Sequence, residues 1–179
     1  MPFSYDYFNN YLSELVRLLR PARVLDIGPG AGKYGKIVRE RANAEGFATH
    51  ISALEIDGEY ITKFELPKIY DTIGHGDAYL LIKDPKVRYD LVIMGDVIEH
   101  MPKSRGIDLL NFLVYRTGYI CVIYPHEFCQ DDWEGHLAEV HISAWGPADF
   151  FGGTLHREWG NIRLALIKGY LPSLITITG

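Results

Sequence analysis

The chain has only two cysteines, Cys121 and Cys129, among its 179 residues. Their spacing suits neither a zinc ribbon nor a redox pair, so reduced thiols, buried or in a loop, are expected. Basic residues are outnumbered, 18 Lys and Arg against 23 Asp and Glu, for a net charge of −5. Affinity for a nucleic-acid backbone comes from clustered Lys and Arg, so no nucleic-acid partner is expected. Long hydrophobic runs are also missing. The longest, near Tyr119–Tyr124, is strand-sized and far short of the ~18–20 residues of a membrane helix. No signal-peptide pattern opens the chain, and a soluble, cytoplasmic protein without a membrane partner is expected. There is no internal repeat, low-complexity segment or linker. What is there is a globular composition, 47% apolar and 23% charged, at a length that suits one domain spanning residues 1–179.

Tyr7, Tyr11, Leu12, Leu15, Val16 and Leu19 recur at helical spacing and predict a helix over about 6–19, within an N-terminal helical segment 1–20 that Pro21 ends. Strands are expected at Val24–Ile27, Ile51–Glu55, Ile69–Ile73, Asp90–Met94 and Tyr119–Tyr124, with helices from about Ala31 to Glu45 and around Leu109–Leu113. The apolar run at Asp90–Met94 is that of a strand covered on both faces. Thr154–Glu158 and Ile162–Lys168, joined by Trp159-Gly160-Asn161, predict a closing β-hairpin. Alternating strands and helices give an α/β fold, a doubly wound and mostly parallel sheet. The hairpin adds one antiparallel strand. The stretch 125–145 lacks periodicity, and so long a loop in a compact domain is expected to carry function.

Val24-Leu25-Asp26-Ile27-Gly28-Pro29-Gly30-Ala31-Gly32 reads as a strand, a glycine turn and the start of a helix. Alternating glycines let a backbone approach a ligand closely. A P-loop is excluded, because counting back from Gly32-Lys33 puts Ile27 at the first glycine and Tyr34 where the magnesium-binding hydroxyl belongs. The dinucleotide fingerprint G-x-G-x-x-G fits poorly, with Lys33 in its third glycine position. Further acids tip the later strands: Glu55 before Ile56-Asp57, Asp77 in Gly76-Asp77-Ala78, and Asp96 in Asp96-Val97-Ile98-Glu99-His100.

Four acid-tipped segments in this order, between Arg23 and Pro125, resemble the class I S-adenosylmethionine-dependent methyltransferases. The resemblance implies a seven-stranded sheet with a C-terminal antiparallel hairpin, S-adenosylmethionine as cofactor and S-adenosylhomocysteine as product. By resemblance, Asp26 and the turn Gly28, Pro29, Gly30 and Gly32 hold the methionine part. Glu55, beside Ile56, accepts from the ribose hydroxyls, Asp77 with Ala78 meets the adenine amine, and Asp96 faces the sulfonium and the methionine amine. Structural readings stand beside these: Asp57 as a helix N-cap, Asp77 as a cap for Ala78–Ile82, and Asp90 as a turn residue. Glu55, at the tip of an apolar strand, has no obvious structural role.

Asp96-x-x-Glu99-His100 resembles the segment of methyltransferases that act on small molecules and sugars, and departs from the Asn/Asp-Pro-Pro-Tyr/Phe signature of nucleobase and amide methylation. His141-x-Ser143-x-Trp145 is similar to a segment of short bacterial methyltransferases of glycan and natural-product pathways. A small-molecule acceptor is therefore expected. His141 and His100 are the candidate general bases, since histidine titrates near neutral pH. Each also reads structurally, His100 as a turn-stabilising residue and His141 as a surface one. Trp133, Trp145, Tyr124 and Phe128 are candidates for an aromatic acceptor pocket, and Tyr5 and Tyr7 for a cover over the cofactor. His126 and His136, with Asp131, Asp132 and Glu134, have no spacing that demands a metal ion, and none is expected. The alternatives are a non-catalytic S-adenosylmethionine binder and an NAD-linked enzyme. No heptad indicates an oligomeric state.

Overall fold

A computed structural model of the chain describes residues 6–126, 139–173 and 177. The elements run α1 (Asn9–Leu19), β1 (Arg23–Ile27), α2 (Lys33–Glu45), β2 (His50–Glu55), α3 (Gly58–Lys63), β3 (Thr72–His75), β4 (Tyr89–Gly95), α4 (Lys103–Val114), β5 (Thr117–Pro125), β6 (Leu155–Trp159) and β7 (Ile162–Lys168). Short 3-10 turns follow β3, at Ala78–Lys83, and β4, at Ile98–His100.

One seven-stranded sheet has the order β3-β2-β1-β4-β5-β7-β6. Its first five strands are parallel, and β7 runs antiparallel to both β5 and β6. The order reverses between β1 and β4, which leaves a crevice beyond the carboxyl ends of those strands.

Successive strand residues point to opposite faces, and the sheet carries a core on each. Val24, Ile51, Leu91 and Ile93 pack with Leu12, Val16, Tyr34 and Val38 of α1 and α2. Leu25, Ile27, Val92 and Met94 pack with Leu109, Leu110 and Leu113 of α4. Each such fully buried aliphatic side chain contributes ~1.5–3 kcal/mol, so packing rather than helix propensity holds the helices in place. Backbone caps end them: Arg20 turns left-handed at φ 44° and its N–H donates to Val16 O at 2.9 Å, and Gly46 closes α2 at φ 67°.

Strand β3 begins three residues later than the apolar pattern at Ile69–Ile73 suggests. Ile69 and Tyr70 are used elsewhere: Ile69 packs under Gly32, and the Tyr70 hydroxyl reaches Asp26. Asp71 accepts from the Ile51 N–H at 2.7 Å and from Arg39 at 2.7 Å, which leads the chain onto the edge of the sheet. An edge strand open to solvent needs no apolar pattern, and β3 is largely exposed. Asp90 lies within β4 rather than in a turn, where its carboxylate accepts from the Arg23 N–H at 2.8 Å.

Candidate functional site

The glycine turn after β1 has three left-handed glycines, Gly28 at φ 65°, Gly30 at 50° and Gly32 at 77°. Space as well as conformation demands two of them. A Cβ on Gly28 would lie 2.5 Å from Val97 Cγ2, and one on Gly32 2.5 Å from Ile69 Cδ1. Glu55, 3% exposed, ties this turn to the one after β2. Its Oε2 accepts from Gly30 N–H at 3.1 Å and its Oε1 from Asp57 N–H at 2.9 Å. Burial raises its pKa, and these N–H groups oppose the rise. Asp57 is the N-cap of α3, accepting from Glu59 N–H at 2.8 Å.

Asp26 is fully buried beneath the turn. Its Oδ2 accepts from the Tyr70 hydroxyl at 2.6 Å, and burial pushes its pKa up to about 7 against that hydrogen bond. The structure thus places Asp26 in support of the glycine turn, beside rather than on the crevice.

A cavity of about 230 Å³ opens at the crevice. Of the expected cofactor residues, Gly28, Ile56, Asp77 and Ala78 line it, and so does His100. Asp77 also caps the following turn, accepting from Tyr79 N–H at 2.9 Å, as its structural reading expects. Leu54, Val97, Met101, Pro102 and Arg105 share the wall and were not singled out from sequence. Arg105 lies 3.4 Å from Asp77 and stacks over Tyr79 at 5.0 Å. The signal available for Met101, Pro102 and Arg105 was their place just beyond the acid-tipped end of β4.

Asp96 follows β4 at φ 53°, a conformation that costs a non-glycine residue energy and concentrates at functional sites. Its N–H donates to Ile123 O at 2.8 Å. Gly95 before it leaves room for the Tyr34 ring, which a Cβ would strike.

His100 and His141 come together, with ring centroids 4.7 Å apart and edge to face. His141 Nε2 lies 3.9 Å from Glu99 Oε1, and both side chains are almost wholly buried. Sequence-distant segments meet here because residues 140–145 are laced to the Ile98–His100 turn. The N–H groups of Ile142 and Ser143 donate to Glu99 O at 2.9 and 3.1 Å. Trp145 Nε1 donates to Ile98 O at 3.1 Å and lies 2.8 Å from Ser143 Oγ, which itself reaches Ile98 O at 3.3 Å. The His-x-Ser-x-Trp spacing therefore has a physical meaning: Ser143 and Trp145 anchor the segment that presents His141.

The carboxyl of Glu99 is held well above the usual range, first by burial and then by the charge of Asp96. His100 is held below its usual value by burial, which favours the neutral ring. Its Nδ1 sits 3.1 Å from Val140 O. A carbonyl can only accept, so Nδ1 carries the hydrogen and Nε2 keeps its lone pair. Glu99, His100 and His141 offer ligand atoms within 4.8 Å of one another, a cluster that sequence spacing did not reveal.

Trp145 is structural in this arrangement, and Tyr124 is buried against Phe150 at 5.2 Å. Tyr7 stacks on Trp159 at 6.2 Å, and neighbouring Asp6 pairs with Lys33 at 3.5 Å beside the glycine turn. Buried Cys121 is a free thiol whose pKa burial pushes up to about 12. Tyr5, Phe128, Cys129, Asp131, Asp132, Trp133, Glu134 and His136 lie outside the described residues, as does most of the 125–145 loop.

No family model matches the chain, and no curated protein matches it. Solved structures do. An O-methyltransferase family protein from Burkholderia thailandensis superposes with a TM-score of 0.65 at 12% identity, over 90% of this chain and 55% of its own. The N-terminal domain of EvdMO1, studied in the presence of SAH and D-fucose, superposes at 0.65 and 13% identity, over 93% and 84%. Human N-acetylserotonin methyltransferase in complex with SAM gives 0.60 at 16%, over 91% and 52%. The chain spans about half the length of the first and third of these. It has the methyltransferase fold, with the mostly parallel seven-stranded sheet and C-terminal antiparallel hairpin that the resemblance implies. No helix among the described residues is long and apolar enough to cross a membrane.

Proposed function

We propose that this protein transfers a methyl group from S-adenosylmethionine to a small-molecule acceptor, a sugar, glycan precursor or secondary metabolite. The observation that carries the reading is the cavity at the reversal of strand order between β1 and β4. The glycine turn, the residues after β2 and β3, and the turn after β4 converge on it. Its wall fits an adenosyl group. Gly28 presents no side chain, Ile27, Leu54, Ile56 and Val97 supply apolar surface for a flat base, and Asp77 supplies a carboxylate at the edge. When bound, the cofactor supplies a methyl group on a good leaving sulfur. The protein's part is then alignment, worth up to ~7–11 kcal/mol in favourable cases.

Asp77 and Ala78 meet the adenine, Glu55 the ribose hydroxyls, and Asp96 with Gly28, Pro29, Gly30 and Gly32 the methionine end. Asp26 keeps the turn in shape from below. Glu55 would repel a 2′-phosphate, which favours adenosine over NADP chemistry. His141 and His100 are the candidate bases for an acceptor's proton, a reading supported by their pairing at 4.7 Å and by the place of His100 on the cavity wall. The sugar-type acceptor is supported by the Asp96-x-x-Glu99-His100 segment, and by the fold shared with a domain studied together with D-fucose.

The acceptor class is tested by incubating the protein with methyl-labelled S-adenosylmethionine and separate pools of sugars, other metabolites, nucleic acids and proteins. Label is expected in the small-molecule pools. Label in nucleic acid or protein would overturn the acceptor class. Tight cofactor binding with no transfer to any pool would favour the non-catalytic binder.

A further inference from the structure

We propose that Glu99, His100 and His141 form a binding site for one divalent transition-metal ion. Two imidazoles and a carboxylate are a donor set suited to first-row transition ions, and a poor one for Mg²⁺ or Ca²⁺, which prefer oxygen alone. Three protein ligands leave open positions, as in sites where an ion takes part in chemistry.

Three observations point to an ion rather than to a packed polar cluster. Glu99 is only 2% exposed, and neither carboxylate oxygen has a hydrogen-bond partner among the described residues. A buried carboxylate left so is costly, and a cation on it removes the cost. Second, the Nδ1–H of His100 is committed to Val140 O, which leaves Nε2 as the donor and fixes the ring. Metal-bound histidines are oriented by that kind of outer hydrogen bond. Third, the frame is built in advance. Glu99 and His100 share one turn, and His141 is presented by a segment held through Ile142, Ser143 and Trp145.

Each of the three residues offers a ligand atom within 4.8 Å of the others'. Around an ion at ~2.0–2.2 Å these atoms would be roughly 3–3.5 Å apart, so binding draws them together by about 1 Å. His100 also lines the cofactor cavity, which puts the ion beside the place where methyl transfer would occur. Its use rests on the methyl-transfer reading: an acceptor hydroxyl on the ion would lose its proton to water at a lower pH than in solution. The imidazoles are then ligands rather than bases.

The test is calorimetric titration of the chelator-stripped full chain with Zn²⁺, Mn²⁺, Co²⁺ and Mg²⁺, with bound metal counted after dialysis. One equivalent of a transition ion is expected, and Co²⁺ should develop visible absorption on binding. Glu99→Gln and His141→Ala should each weaken binding by at least about 10–100-fold, the range for groups one step further from an ion. His75→Ala, on β3 and outside the cluster, should leave it unchanged. If Glu99→Gln fails to fold, His141→Ala carries the result. No stoichiometric binding, binding of Mg²⁺ alone, or equal affinity in folded variants would overturn the site. S-adenosylmethionine is titrated into the same samples without metal. Metal binding without cofactor binding would sink the methyl-transfer reading and leave the site standing; the reverse would do the opposite.

Discussion

The indole of Trp145 occupies the space that a side chain on Gly106 would need. A Cβ there would stand 2.5 Å from Trp145 Cζ2, on the buried face of α4. The same indole donates to Ile98 O, so a glycine in α4 permits the contact that brings His141 to Glu99.

Gly106→Ala should therefore destabilise the protein, although alanine improves an exposed helix position by about 1 kcal/mol. Overpacking of this kind costs ~1–3 kcal/mol, and a rigid indole has little room to yield. Urea unfolding of the variant checks the sign. A gain in stability would show that Trp145 moves aside freely.

Glu55→Ala should weaken S-adenosylmethionine binding by ~1.5–3 kcal/mol, the range for hydrogen bonds to a charged group. The loss also leaves the Gly30 and Asp57 N–H groups without their acceptor. Calorimetry on the folded variant reads it. An unchanged affinity would remove Glu55 from the ribose role.

Asp26 makes stability depend on pH. Its folded pKa, about 7, lies above the ordinary 3.8, so the folded state holds the proton more tightly than the unfolded one. The stabilisation is complete below about pH 4 and is lost as pH rises toward 7, a change of roughly 4 kcal/mol at most. Asp26→Asn should flatten this part of the profile. Urea melts at pH 5 and pH 8 provide the comparison, and an equal slope in both proteins would count against a protonated Asp26.

Gly28→Ala should abolish detectable cofactor binding, because the new Cβ enters the left-handed region and strikes Val97 at the cavity wall. Far-ultraviolet circular dichroism beside the titration separates this from unfolding. Retained binding would mean that the turn relaxes away from the ligand.

The architecture was legible because Val24–Ile27, Leu91–Met94 and Tyr119–Tyr124 are buried on both faces and cannot disguise their composition. Edge strand β3 was misplaced for the opposite reason: solvent imposes no pattern on Thr72–His75. The cavity wall was half legible. Acids at strand tips announce a crevice, while Met101, Pro102 and Arg105 line it only because α4 starts there. Spacing could not show that Asp26 turns under the glycine turn toward Tyr70, a residue 44 positions away. The Glu99–His141 meeting was equally hidden, since it depends on Trp145 finding the gap left by Gly106.

The most direct test of the central claim is calorimetric titration of ligand-free protein with S-adenosylmethionine, with S-adenosylhomocysteine and NAD⁺ as comparators. The account predicts micromolar binding of both sulfur ligands and none of NAD⁺. Failure of both sulfur ligands to bind would contradict it and leave the glycine turn without its cofactor.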